Sequence, residues 1–191
     1  MSKESLKSIG TAYRWLIAYY KDIVHFCNQV EQVFLDQYPE YESLSGKAIE
    51  TVASKSWRLP RQWLPCYHSQ FFATAAEDKA GIELAHAILL GVSIDHHDPE
   101  DPERDEPWIY LQRFGPILRD DLPSAKSRIN YDWAVMKGEQ ERDGWLLGQF
   151  REIPYSYRTL PLSTIKTLEE IRPKLVEPLV EHDRRMQSKG A

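Results

Sequence analysis

Leu6, Ile9, Tyr13, Leu16, Tyr20, Ile23, Cys27, Val30 and Phe34 recur in alternating steps of three and four, the period of one face of a helix. The spacing predicts an amphipathic helix from about residue 4 to about residue 37, inside a helical unit 1–38. Ser2, Ser5 or Ser8 can cap its start, and Pro39 ends it by forcing the preceding residue out of the helical region. Ile17, Val24 and Leu35 broaden the stripe beyond a two-position seam, so the helix is expected to lie on a sheet rather than in an isolated coiled coil. Such a helix is roughly 50 Å long, more than the diameter of a domain of this size. Part of it is expected to reach a second subunit.

After a Ser-, Glu- and Tyr-rich connector over 39–47 and a short helical candidate over 47–53, the apolar period changes to two. Residues 70–76 and 82–95 read as antiparallel strands joined by a turn at Asp78-Lys79-Ala80-Gly81. The second strand alternates most cleanly, with His86, Ile88, Leu90, Val92 and Ile94 on one face and Ala87, Leu89, Gly91, Ser93 and Asp95 on the other. Gly91 marks an expected bulge, and His86 an expected core histidine. Further strands are predicted over 108–114 and 145–153, with a helix over 124–137 between them that Gly138 would end. Residues 162–187 carry a helical stripe interrupted by Pro173 and Pro178, which predicts two short helices or one bent one.

The expected architecture is a single α+β domain over 1–191. A mostly antiparallel sheet of about four to five strands, in a region 55–155 with an inserted helix, packs against the long N-terminal helix and a kinked C-terminal helical segment. No run of 18 apolar residues occurs, so no membrane partner is expected. Cys27 and Cys66 form no CxxC pair and read as reduced core thiols in a cytoplasmic setting.

Lys plus Arg is 24 against 29 for Asp plus Glu, a net charge of −5, which excludes a surface built throughout to hold nucleic-acid backbones. The acid is concentrated. Residues 95–106 hold seven carboxylates against Arg104, a formal −6. This run must be solvated, neutralised by a cation or met by a basic partner. The partner alternative presents Asp98, Glu100, Asp101, Glu103, Asp105 and Glu106 to a cationic protein surface. The metal alternative uses Asp95, His96, His97 and Asp98 as imidazole and carboxylate ligands to a divalent ion that activates water for hydrolysis. Neighbouring residues at a strand end point in opposite directions, which weighs against the second.

Lys55, Trp57, Arg58, Arg61 and Trp63 interleave cations with indoles, the pattern of single-strand nucleic-acid or phosphate-ligand sites. Indoles covering a sheet edge, with arginines snorkelling across apolar surface, account for the same pattern. Phosphate-binding glycine loops, GxSxG, HExxH and kinase signatures are all missing. The function expected from these features is a non-enzymatic cytoplasmic interaction or adaptor protein, homodimeric through its first helix, that presents an acidic loop to a basic partner. It needs no cofactor, the alternative being a divalent metal. A metal-dependent hydrolase or nuclease and a nucleic-acid or phosphate binder are the two other candidates.

Overall fold

A computed structural model describes residues 3–44, 50–52, 67–77, 84–96, 106–132, 140–150 and 152–189. Helix α1 (Lys3–Gln37) has the predicted extent. The sheet is larger than predicted. Seven strands run antiparallel in the order β1 (Tyr41–Ser43), β3 (Tyr67–Thr74), β4 (His86–Asp95), β5 (Trp108–Leu118), β8 (Ile153–Pro161), β7 (Trp145–Phe150), β6 (Gln140–Arg142), and β2 (Glu50–Val52) pairs β3 beside β1. Helix α2 (Leu122–Asp132) follows β5, and α3 (Glu177–Lys189) ends the fold.

Three local features account for the extra strands. The connector at 39–47 contains β1, and the helical candidate at 47–53 contains β2, each three residues long and too short to show a period. The predicted strand 145–153 spans β7 and the first residue of β8, which pair antiparallel with each other. Asp143 and Gly144 both take positive φ, 54° and 75°, as a two-residue hairpin turn requires, and they join β6 to β7.

Alternation on β4 builds two cores on the two faces of the sheet. Leu90, Val92 and Ile94 join Phe72, Ile109 and Leu111 under α1 and the C-terminal helical segment. There Ile23, Cys27, Val30 and Phe34 of α1 are buried, with Phe34 stacked on Phe72 at 3.9 Å between ring centroids. Burial pushes the Cys27 thiol up to about 12, so it stays protonated. Ala87 and Leu89 on the other face join Phe71, Phe114 and Tyr155 under Ala125 and Ile129 of α2.

Gly91 lies in regular register between Phe71 and Gln112, and the ladder shifts instead between Ala87 and Leu89, opposite Gly115-Pro116. A Cβ at Gly91 would sit 2.9 Å from both the Gln112 amide oxygen and the Phe71 ring. Gly91→Val is therefore expected to cost about 1–3 kcal/mol by overpacking. A urea midpoint equal to wild type would contradict this close approach.

His86 is exposed at the start of β4 rather than buried, because it pairs with the half-exposed Leu118 where both strands leave the core. In the C-terminal segment, short 3-10 turns at Leu162–Thr164 and Leu168–Glu170 precede a π-type turn, Arg172–Val176, that runs into α3. Pro173 occupies the first turn, where its missing N–H is harmless, and the π turn next to Pro178 absorbs the second lost donor.

Candidate functional site

Two regions place polar or apolar side chains where packing alone does not demand them. Both involve α1.

The first is the half of α1 that runs beyond the sheet. Ile23 is the first buried residue of the stripe. Before it, Leu6, Ile9, Tyr13 and Ile17 are 52%, 55%, 64% and 43% exposed, although they continue the line by which the second half packs. Trp15, 73% exposed, lies on the opposite side of the helix with Thr11, Arg14 and Ala18. Among the described residues, five of the ten exposed large hydrophobics thus fall between Leu6 and Ile17. Such clustering marks an interaction surface rather than scattered exposure.

The second region lies where α1 crosses the ends of β3 and β4. His68 pairs in register with Ile94, so it shares a sheet face with that residue and meets His96 two positions further on. His68 Nδ1 and His96 Nε2 are in direct contact. From α1, the Tyr19 hydroxyl lies 2.6 Å from His96 Nδ1, and the Tyr20 ring centroid lies 5.5 Å from His68 and 5.4 Å from His96. Burial holds His68 at about 4; burial and the neighbouring His68 hold His96 at about 3. Both rings are neutral at pH 7. With neutral rings the contacts form a continuous chain in one of two orders, Tyr19 O–H to His96 Nδ1 and His96 Nε2–H to His68 Nδ1, or His68 Nδ1–H to His96 Nε2 and His96 Nδ1–H to the Tyr19 oxygen. Burial also raises the Tyr19 phenol, which keeps its proton.

Of the residues predicted for metal binding, His96 lies in this cluster. Asp95 pairs with Tyr67 and Trp108 and so belongs to the opposite sheet face, away from His68. His97 and Asp98 lie outside the described residues, as do Glu100, Asp101, Glu103 and Asp105 of the acidic run. Glu106 is described, and its carboxylate accepts the Ser163 backbone N–H at 3.0 Å. Lys55, Trp57, Arg58, Arg61 and Trp63 also lie outside the described residues, as does Cys66. His86 and His96 sit at opposite ends of β4, about 30 Å apart, and do not share a cleft.

No family model matches the chain, and no curated protein or solved structure does either.

Two further polar groups are buried beneath α3. Asp183, fully buried, accepts from Arg113 Nε at 2.7 Å, from the Tyr41 hydroxyl at 2.6 Å and from Gln187 Nε2 at 2.7 Å. Burial, reinforced by the Asp183 charge, raises the Tyr41 phenol, which remains the donor. Beside this network Ser156 Oγ and His182 Nε2 are 2.7 Å apart, a serine–imidazole distance that nucleophilic catalysis uses. Here the pair is structural. Ser156 is 2% exposed, Trp145 stacks on the imidazole at 3.8 Å, and the Asp183 carboxylate is committed to Arg113 and Tyr41.

Sequence reasoning missed His68, Tyr19 and Tyr20. Tyr20 was assigned to the core stripe, and His68 fell just before the predicted strand 70–76. The usable signal was the register: once His68 is set opposite Ile94, the two-residue repeat of the strand brings His96 to the same face.

Proposed function

We propose that this chain is a non-enzymatic interaction protein of the cytoplasm that self-associates, the overhanging half of α1 pairing with the same surface of a second copy. The observation that carries the reading is the unbroken stripe of α1, buried at Ile23, Cys27, Val30 and Phe34 and exposed at Leu6, Ile9, Tyr13 and the adjoining Ile17.

Three features favour a second copy as the occupant. An antiparallel pairing of this stripe with its own copy satisfies the symmetry of a two-fold interface. The four exposed stripe residues, Leu6, Ile9, Tyr13 and Ile17, present roughly 400 Å² per copy, so two copies bury about 800 Å², the size of a weak, concentration-dependent interface. Residues 3–20 carry Lys3, Lys7 and Arg14 against Glu4, whereas the whole chain is acidic and concentrates its charge in 95–106. The overhang's sign, opposite to that of the whole chain, draws it towards a second copy, and the apolar stripe rather than charge holds the two overhangs together. The acidic run, with Asp98, Glu100, Asp101, Glu103 and Asp105, is then the charge presented to a basic partner. The protonated, uncrosslinked thiol of Cys27 supports a reducing compartment. No helix among the described residues is long and apolar enough to cross a membrane.

Light scattering on the purified protein at high micromolar concentration is expected to give twice the chain mass of 22.3 kDa. Ile9→Glu combined with Tyr13→Glu is expected to give a single-chain mass with an unchanged thermal midpoint, because both side chains are exposed in one copy. A wild-type mass of one chain, or a double variant that remains dimeric, would contradict the proposal.

A further inference from the structure

We propose that His68 and His96 form a two-imidazole site for a divalent first-row transition metal, held by His68 Nδ1 and His96 Nε2. This goes beyond the self-association reading and stands independently of it. The nitrogens already converge: His68 Nδ1 and His96 Nε2 are in direct contact, each carried by a strand of fixed antiparallel register.

Two further observations match what such a site needs. The metal would bind at His96 Nε2, and the opposite ring nitrogen, Nδ1, lies 2.6 Å from the Tyr19 hydroxyl. A ligating imidazole needs this outer partner, because the other N–H must be bonded for the ring to keep its orientation and tautomer. With the ion bound, His96 Nδ1–H donates to the Tyr19 oxygen, a role the tautomer of a metal-ligated His96 fixes. Access is also present. His68 is 3% exposed and fixed in place, whereas His96 is only partly buried, so an ion enters from the His96 side.

The donor set selects the metal. Imidazole nitrogens favour nickel, copper and zinc over magnesium and calcium, which take oxygen ligands. No cluster of three or more His, Cys, Asp or Glu side chains lies within metal-holding distance among the described residues, so among these the two imidazoles are the donors. The site differs from one built on Asp95 and Asp98. Asp95 belongs to the opposite face, and His68 supplies the second nitrogen.

The probe is Ni²⁺ alone, added to tag-free, chelator-treated protein at pH 7.5 and followed by calorimetry and thermal unfolding. One ion per chain is expected, with a rise in unfolding midpoint of about 5–10 °C at 100-fold excess over the dissociation constant. His68→Gln and His96→Gln are each expected to abolish the shift. Tyr19→Phe is expected to weaken binding by about 10-fold. The exposed His86→Gln is expected to change nothing. Paramagnetic broadening by Ni²⁺ in wild-type protein keeps the test valid if a glutamine variant fails to fold. The imidazole resonances of His68 and His96 are expected to broaden first. Absence of stoichiometric uptake, uptake that survives both glutamine substitutions, or prior broadening of other histidines would overturn the proposal.

Discussion

Asp183→Ala is expected to lower the stability of the fold by about 3–5 kcal/mol. The carboxylate is fully buried and accepts three side-chain donors, one each from β1, β5 and α3: Tyr41, Arg113 and Gln187. Removing it leaves the Arg113 guanidinium, itself 5% exposed, with the Gly115 carbonyl at 3.2 Å as its remaining partner among the described residues, and strands the Tyr41 hydroxyl. An uncompensated buried charge is the dominant cost, because a low-dielectric interior gives it neither water nor counter-ion. A loss of this size is a large part of the roughly 5–15 kcal/mol that a domain has. The pair itself contributes less than its rupture costs, since desolvation of both ions offsets most of their attraction. Arg113→Met combined with Asp183→Leu is therefore expected to recover most of the loss. Urea unfolding of the three proteins separates these terms. A single alanine variant within about 1 kcal/mol of wild type would show that the network is not closed to water.

The second large effect is on pH dependence. His68 and His96 are held at about 4 and about 3, against 6.5 for an unperturbed imidazole. Below pH 6.5 the unfolded chain binds protons that the folded chain refuses. The stability they contribute is complete above about pH 6.5 and is lost as the pH falls towards 4 and 3. Two such groups give a limiting slope of about 2.7 kcal/mol per pH unit, and about 3–4 kcal/mol between pH 7 and pH 5. Tyr19, whose phenol burial raises, stays neutral across this window and adds no opposing charge. Urea midpoints measured with a chelator at pH 7 and pH 5 should show the loss. The double variant His68→Gln, His96→Gln should show a much flatter profile. An equally steep profile in that variant would place the titrating groups elsewhere.

The long helix and the best strand were legible in the sequence because each repeats its period many times. Nine stripe positions defined α1, and the faces of β4 followed from strict alternation. The short strands were not legible, since three residues of β1, β2 or β6 carry no measurable period and are fixed by partners distant in sequence. The β6–β7 hairpin was legible and was missed. Asp143-Gly144 is a strong turn signal, and β7 and β8 are separated by only two residues. Strand β5 continues four residues past its predicted end because the ladder shift opposite Ala87 and Leu89 accommodates Gly115-Pro116. The candidate metal site was half visible. His96 stood out beside its acidic neighbours, but His68 became its partner only through cross-strand register, and Tyr19 only through the path of α1 over the strand ends. Charge density drew attention to Asp95, and strand alternation placed it on the wrong face.

Self-association through the overhang is tested most directly by a photo-crosslinking amino acid placed at Tyr13, an exposed position on the stripe. Irradiation of the protein is expected to give a two-chain product, with the cross-link mapping to residues 3–20 of the other copy, and no such product when Ile9→Glu is also present. Only single chains after irradiation, or cross-links to the second copy outside the overhang, would contradict the account.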